Sequence, residues 1–533
     1  MDAGAEPAAK KPRPDPAAAA AELDVADELD AAAEAVALER KKKVVRSGRE
    51  CPFIDTVDRR TLDFDFEKLC SVTLVNLNCY CCLICGKYFQ GRARGSPAYT
   101  HSLENGHSVY MNLTNRKIYC LPDDYEVVDP SLDDIKANMR PAFTPEQIKE
   151  LDHRTRTSLA LDGSEYLPGF VGFNNLKLTD GISVVVQCLM RVVPFRDYLL
   201  RPENYAHCRS LLLGRLGELA RKNWNPSNYK SHISPHELVQ ACSIASEKRF
   251  RPGARSDPAD FMAWVLNTLQ RDMNKANKKL SKRLAAESKA SAAGGGKKAG
   301  RPKQRNIVNE CFRGEVHVMT EKLSDKKAAV SAAADNAGLE ESSANFLFLS
   351  LDLPQAPLYK DAQNHLVIPQ VSLFSLLEKF DGETSQELRG GLLRRFRLKH
   401  PLPRYLIFHY KRFKLNNFFV EKNPTLVTFP VKNLELKDYI DGTPPPSDTT
   451  NRIGTKFNLV ANVVHSGPAD GGKYGTCTPR ARSSSSDTCR LLSWFLYSAS
   501  VASFPVYSLA QRRLGVFTQS ATYSTVRTMN GTQ

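Results

Sequence analysis

The sequence predicts an α+β fold in two parts: a small Cys/His-rich module, then a longer segment in which helices precede strands. Three observations predict it. Seven of the 13 cysteines fall between Cys51 and Cys120. Apolar residues recur at helical spacing early in the segment that begins near Tyr166, in ISVVVQCLMRVV and DFMAWVLNTLQRDM. Strand-like runs come later, in NFLFLSLDLP, YLIFHYKRF and FNLVANVVH.

Taken in order, residues 1–50 read as a disordered, charged tail, rich in Ala, Pro and acids early and in bases late. Its two basic runs, KKPRP (Lys10–Pro14) and RKKKVVR (Arg40–Arg46), fit either nuclear import signals or solvated charge. Residues 51–128 form the Cys/His-rich module. Within it Cys82 and Cys85 stand in a CxxC knuckle, with His101 and His107 following. Two thiolates on a tight turn and two later imidazoles can close a tetrahedral site, so these four are the expected zinc ligands. In so small a module the metal would supply folding energy that the core cannot. Cys51, Cys70, Cys79, Cys81 and Cys120 have no such spacing. Each reads as a packed or spare thiol, with a second metal site left open.

Residues 129–165, with PSLDDIKANM and TPEQIKELDHR, read as a linker carrying short helices, and 166–475 as one α+β domain. Residues 277–305 carry ten Lys/Arg against the single acid Glu287 and a GGG at 294–296, which predicts a disordered basic insertion. Residues 476–533 hold 19 Ser/Thr, no Lys, no Glu and one Asp, without lasting periodicity. That stretch reads as an atypical tail, an alternative or out-of-frame end.

The net charge of +16 suggests nucleic acid as a partner, yet its concentration in 277–305 and 476–533 argues for basic segments rather than a folded basic face. The Ala-rich, acidic N-terminus lacks the apolar core of a secretory signal, so a reducing compartment and a metal-binding use of the cysteines are expected. No membrane segment is expected either. The most apolar late run, Leu491–Tyr507, is broken by four Ser and Pro505 and is shorter than the roughly 20 residues a span needs.

From Cys51 to about Tyr125 these residues resemble the UBP-type zinc finger of the ubiquitin-specific proteases. In that family an Arg after a Cys-Gly pair, with flanking aromatics, often grips the tail of ubiquitin. Here Lys87 follows Cys85-Gly86, without the planar fork of Arg, and TLVNLN offers no Trp. A docking role is therefore expected of the finger.

Residues from Tyr166 to Tyr474 resemble the papain-like domain of the same proteases. Gly172, Asn174, Asn175, Leu176, Thr179, Gln187 and Leu189 fit the family's first box, and SDPADFMAWVLNTL, LPRYLIFHYKRF, VEKNPTLVTFP and FNLVANVVHSG follow in the family's order. Three positions depart. Asp180 stands where the resemblance places the nucleophilic Cys, Leu178 where it places the oxyanion donor, and Lys473 where it places the His. With nucleophile, base and oxyanion donor all replaced, no catalytic residue is assigned. Cys188, two helical turns beyond Asp180, and His465 are expected to be packing residues. The family's closing strands find no match in 476–533, so an open sheet edge is expected.

The boxes LDFDFEKLC, CGKYFQGR, YCLPDDYE, DLPQAPLYKD and NNFFVEKNPT narrow the resemblance to the non-catalytic splicing-factor branch of the family. It implies a nuclear scaffold for the spliceosomal tri-snRNP in pre-mRNA splicing, with zinc as cofactor. The implied partners are tri-snRNP proteins, with snRNA associated indirectly, at most weak ubiquitin contact and no membrane. Three alternatives stay open: a ubiquitin-binding, non-cleaving adaptor; a deubiquitinase with an unrecognised nucleophile; and direct RNA binding through residues 277–305.

Overall fold

A computed structural model describes residues 51–153, 156–290, 306–322, 339–355, 368–388, 391–415, 419–441, 455–469, 471–477 and 492–499. The expectations for residues 1–50 and for most of 476–533 lie outside them. The described residues fall into two units. One holds the residues up to Asp58 together with Leu69–Ser131, and the other holds Arg59–Lys68 and the residues from Leu132 on.

The first unit is an antiparallel sheet of β1 (Cys79–Cys82), β2 (Tyr88–Gln90), β3 (Val109–Asn112), β4 (Ile118–Cys120) and β5 (Tyr125–Val127), ordered β2-β1-β3-β4-β5. Helix α1 (Pro97–Asn105) lies between β2 and β3 in sequence. Its core is small, chiefly Tyr80, Cys82, Phe89, Ala98, Tyr110 and Leu121, as a metal-supported module would require.

The second unit begins with a stretch that the sequence pattern assigns to the finger. In LDFDFEK the apolar residues alternate with acids: Leu62 and Phe64 are buried, while Asp63 and Asp65 pair with Lys230 at 2.5 Å and Lys222 at 2.8 Å. This period-2 pattern is that of an extended strap with one buried side. The expected linker is likewise folded. Helices α2 (Asp133–Met139) and α3 (Pro145–Glu150) belong to the second unit, and α3, begun by a Thr144/Gln147 capping box, buries Ile148 near Leu200 and Trp224.

Helices α4 (Asp180–Leu189), α5 (Val193–Leu200), α6 (Leu211–Trp224), α7 (His236–Ala245), α8 (Pro258–Ala290) and α9 (Ile307–Phe312) follow. They supply most of one apolar core, as α6 illustrates by burying Leu212, Leu213, Leu216, Leu219 and Ala220 on one face. Helix α8 corrects the expectation for 277–305. It continues through residue 290, because Lys, Arg, Ala and Leu are good helix formers and no Gly or Pro interrupts them before Gly294. Residues 291–305 lie outside the described set.

The strands form two main sheets. The first orders β7 (Leu339–Phe346), β6 (Gly314–Lys322), β10 (Leu392–Lys399) and β9 (Gln386–Leu388), with Ile440–Asp441 added beside β10. The second orders β8 (Leu349–Leu351), β11 (Tyr405–Tyr410), β15 (Leu492–Ala499), β13 (Lys456–Ser466) and β12 (Leu434–Glu435), and β14 (Lys473–Cys477) pairs with β13 as a hairpin. Tyr405 and Ile407 of β11 face the helical core, while Leu406, Phe408 and Tyr410 face a second core shared with β6 and β10. On β13, Phe457 and Leu459 belong to the second core but Ala461 and Val463 to the helical one. A bulge between Leu459 and Ala461 makes that change of face.

Of the two expectations for the closing strands, missing or replaced, strand β15 sets aside the first and with it the open sheet edge. It lies between β11 and β13, antiparallel to both, so the backbone groups of both neighbours are satisfied on that side. Its sequence gives little warning, because LSWFLYSA is a short apolar run inside a Ser-rich stretch, without the polar alternation that marks a half-exposed strand.

Candidate functional site

In the first unit, Cys82 ends β1 and the chain turns at once, the Gly86 N–H donating to the Cys82 carbonyl at 2.9 Å with Gly86 at φ +73°. That turn brings Cys85 back beside Cys82. Helix α1 presents His101, and Gly106, left-handed at φ +67°, ends the helix so that the next residue, His107, folds inward. The four ligand atoms lie within 4.8 Å of one another: Cys82 Sγ is 3.5 Å from His107 Nδ1, Cys85 Sγ is 3.4 Å from His101 Nε2, and the two imidazole nitrogens are 3.1 Å apart. This is the group of three or more potential ligands found among the described residues.

The donor set fits a zinc ion, two soft thiolates and two imidazoles converging on one point. The Cys85 thiol is held below the ordinary thiol range, first by the neighbouring Cys82 and further by the Lys87 N–H and both imidazoles. His101 is oriented by stacking on Phe89, ring centroids 4.1 Å apart. The Asn105 amide nitrogen lies 2.9 Å from His101 Nδ1, on the ring edge away from the ligand nitrogen Nε2. The other cysteines of the unit are otherwise engaged. Cys70 Sγ accepts backbone N–H bonds from Val72, Thr73 and Gln90 at 3.2–3.4 Å. Cys79 donates to the Val75 carbonyl, and Cys51, Cys81 and Cys120 are buried.

In the second unit, the turn into α4 holds two successive non-glycine residues in the left-handed region, Lys177 at φ +68° and Leu178 at φ +59°. Such a turn is costly and persists only where its surroundings impose it. Thr179 imposes it here: its Oγ1 accepts from the Leu176 N–H at 2.9 Å, and its own N–H donates to Asn175 Oδ1 at 2.9 Å. Leu178 is left 41% exposed. Gln187, on α4, donates to the Val171 carbonyl at 2.7 Å and so secures the segment leading into the turn.

Asp180 opens α4, where the helix dipole favours a carboxylate, and is only 8% exposed. Its Oδ2 accepts the backbone N–H of Tyr474, on β14, at 2.8 Å. Close packing brings the elements together at this point, since a Cβ on Gly181 would stand 2.5 Å from the Ser256 carbonyl oxygen. Beside Ser256, Arg255 Nη1 donates to the Gly472 carbonyl at 3.2 Å. The neighbouring Lys473 is solvent-exposed.

His465 is 1% exposed, its ring 4.7 Å from that of Tyr474 and 5.0 Å from that of Phe413. Burial, with Lys422 and Arg255 adding, lowers it to about 4, so it is a neutral packing residue. Cys188 is buried on α4 and pushed up to about 12 by burial, which makes it an inert thiol. The structure thus brings Asp180 and the hairpin around Lys473 together. Sequence reasoning missed Arg255 and Lys422, whose Nζ donates to the His465 and Gly467 carbonyls at 3.2 and 2.9 Å. Both stand in or beside the family's boxes, but a backbone-clamping role leaves no mark in residue type.

Comparison with known proteins agrees with this architecture. The model of the family described as ubiquitin carboxyl-terminal hydrolase matches residues 171–503, and that described as Zn-finger in ubiquitin-hydrolases and other protein matches 69–132. Ubiquitin carboxyl-terminal hydrolase 39 of Mus musculus is 44% identical over 448 residues, covering 80% of this chain and 74% of that protein. Probable mRNA-splicing protein ubp10 of Schizosaccharomyces pombe is 41% identical over 416 residues, covering 78% and 77%. A crystal structure of an essential yeast splicing factor superimposes with a TM-score of 0.63 at 26% identity, over 85% of this chain and all of that one. On the extent of the family match, which runs through β15, and on these identities, the chain belongs to the ubiquitin carboxyl-terminal hydrolase family.

Proposed function

We propose that this chain is a non-catalytic scaffold in pre-mRNA splicing, working in the nucleus to support assembly or stability of the spliceosomal tri-snRNP through contacts with its proteins. One observation carries the non-catalytic part. At the position of the family nucleophile stands a carboxylate already committed to a backbone N–H, and the base position is an exposed lysine. A carboxylate in the place of the thiolate, with lysine at the base position and leucine at the oxyanion-donor position, has no route to amide cleavage, and loss of a triad member alone costs orders of magnitude in rate. The splicing part is supported by relatives whose names describe splicing proteins and which align over most of their length.

In this reading Cys82, Cys85, His101 and His107 hold zinc, which cross-links the finger and supplies folding energy rather than chemistry. Two experiments test the proposal. Affinity purification of the tagged chain from nuclear extract should bring down tri-snRNP proteins and RNAs, and absence of both would overturn the splicing role. A ubiquitin probe with a C-terminal electrophile should leave the chain unlabelled. Covalent capture would overturn the non-catalytic assignment, while ubiquitin binding without capture would favour an adaptor.

A further inference from the structure

Helix α8 changes character along its length. Up to Met273 it is a core helix, burying Phe261, Met262, Val265, Leu266, Leu269 and Met273. Beyond Met273 no described residue of the helix is buried, yet the helix continues to Ala290. The 13 residues from Arg271 to Arg283 carry six exposed cations, Arg271, Lys275, Lys278, Lys279, Lys282 and Arg283. The one acid among them, Asp272, accepts a hydrogen bond from Ser210 Oγ at 2.7 Å and lies 3.7 Å from Arg271 Nε, offsetting charge at that end only. Among the described residues no carboxylate lies within 4.0 Å of Lys275, Lys278, Lys279, Lys282 or Arg283.

At about 100° per residue, Arg271, Lys275, Lys278 and Lys282 fall within about 60° of one another around the axis, with Lys279 and Arg283 to one side. They rise along it in steps of about 6, 4.5 and 6 Å, a straight row about 17 Å long. The row continues the face that the first half of the helix turns away from the core. Lys275/Lys279, Lys278/Lys282 and Lys279/Arg283 are also like-charge pairs at i,i+4, each of which weakens an isolated helix. A self-repelling row of cations on a helix outside the core is a surface that a polyanion would stabilise.

From this we infer that the exposed row Arg271–Lys275–Lys278–Lys282 is a contact surface for the phosphate backbone of RNA. The chemistry favours RNA over the other polyanions. An acidic protein partner needs apolar anchors at the centre of its interface, and among residues 274–284 the apolar side chains are only Ala276, Leu280 and Leu284. A lipid surface needs a broad apolar face opposite the basic one, and Ala276, Leu280 and Leu284, which lie opposite the row, offer only two large apolar side chains and no aromatic. A row of cations without base-reading side chains gives affinity without sequence preference. The inference goes beyond the scaffold role and stands without it.

The test uses purified full-length protein and a fluorescein-labelled oligouridine of about 20 nucleotides, followed by anisotropy across a salt series. The wild-type chain is expected to bind at low salt with a steep inverse salt dependence. The triple variant Lys275→Gln, Lys278→Gln, Lys282→Gln should bind at least tenfold more weakly, with the slope of log K against log salt shallower by about 2, as loss of three phosphate contacts to a single strand implies. Because all three side chains are exposed and Gln is a good helix former, its thermal melt should match the wild type. Failure of the wild type to bind, or equal affinity and slope for the variant, would overturn the assignment. Equal displacement by polyglutamate would also overturn it, in favour of an acidic protein surface. No splicing component enters the assay, so its failure would leave the tri-snRNP reading where it stands.

Discussion

Replacing Asp180 with alanine removes the oxygen that accepts the Tyr474 N–H at 2.8 Å, and with it the hydrogen bond that ties the start of α4 to β14. The magnitude follows from the site. A hydrogen bond to a charged acceptor contributes about 1.5–3 kcal/mol, and here the donor is left buried without that acceptor, so the upper half of the range, about 2–3 kcal/mol, is expected. For a domain of this size each kcal/mol shifts the melting temperature by about 2 °C, giving a loss of about 4–6 °C. Asp180→Asn keeps a carbonyl acceptor but not the charge and should lose about 1 kcal/mol. Asp180→Cys should be destabilised like the alanine variant and remain unlabelled by the ubiquitin probe, because Lys473 offers no imidazole. Calorimetry of the three variants, with hydrogen exchange at the Tyr474 amide as the local readout, is the assay. An alanine variant that melts within about 1 °C of the wild type with Tyr474 equally protected would refute the reasoning, and Asp180 would then be a tolerated remnant rather than a structural tie.

Zinc analysis of the purified chain should find metal that is lost together in Cys82→Ser and His107→Ala, and chelation should unfold the finger while the second unit keeps its melt; a finger that retains its near-ultraviolet dichroism after chelation would contradict this. His465 sets a pH dependence. Its folded value, about 4, lies below the ordinary 6.5, so between these values the unfolded chain binds the proton first and stability falls as pH drops. The loss is about 1.4 kcal/mol per pH unit at most, on the order of 2–3 kcal/mol by pH 4. His465→Phe, which keeps a ring between Tyr474 and Phe413, should flatten that slope relative to wild type; parallel slopes would remove His465 as its source. Truncation after residue 491 deletes β15 and opens an unpaired edge on both β11 and β13, so the product should aggregate or fail to melt cooperatively, and a soluble monomer with a wild-type melt would show that the strand is dispensable.

The local chemistry of this protein is written in the sequence. CxxC and the two histidines are close enough along the chain that a turn and one short helix bring them together, so their convergence is legible from spacing alone. The same holds for the turn before α4, whose Asn175 and Thr179 bonds are local. The alternation in LDFDFEK is legible too, but not the unit it joins. Its acids find Lys222 and Lys230 more than 150 residues away.

Tertiary structure alone decided the rest, because each remaining feature depends on pairing across long separations. β15 is a strand because β11 and β13 leave a gap whose backbone groups need partners, which outweighs the unpromising composition around it. Asp180 became a tie rather than a vacancy only when a hairpin 294 residues further on placed an N–H against it. And the basic stretch after Met273 became a straight row of cations, instead of a diffuse charge, because the core holds the first half of α8 and helix propagation carries that order outward.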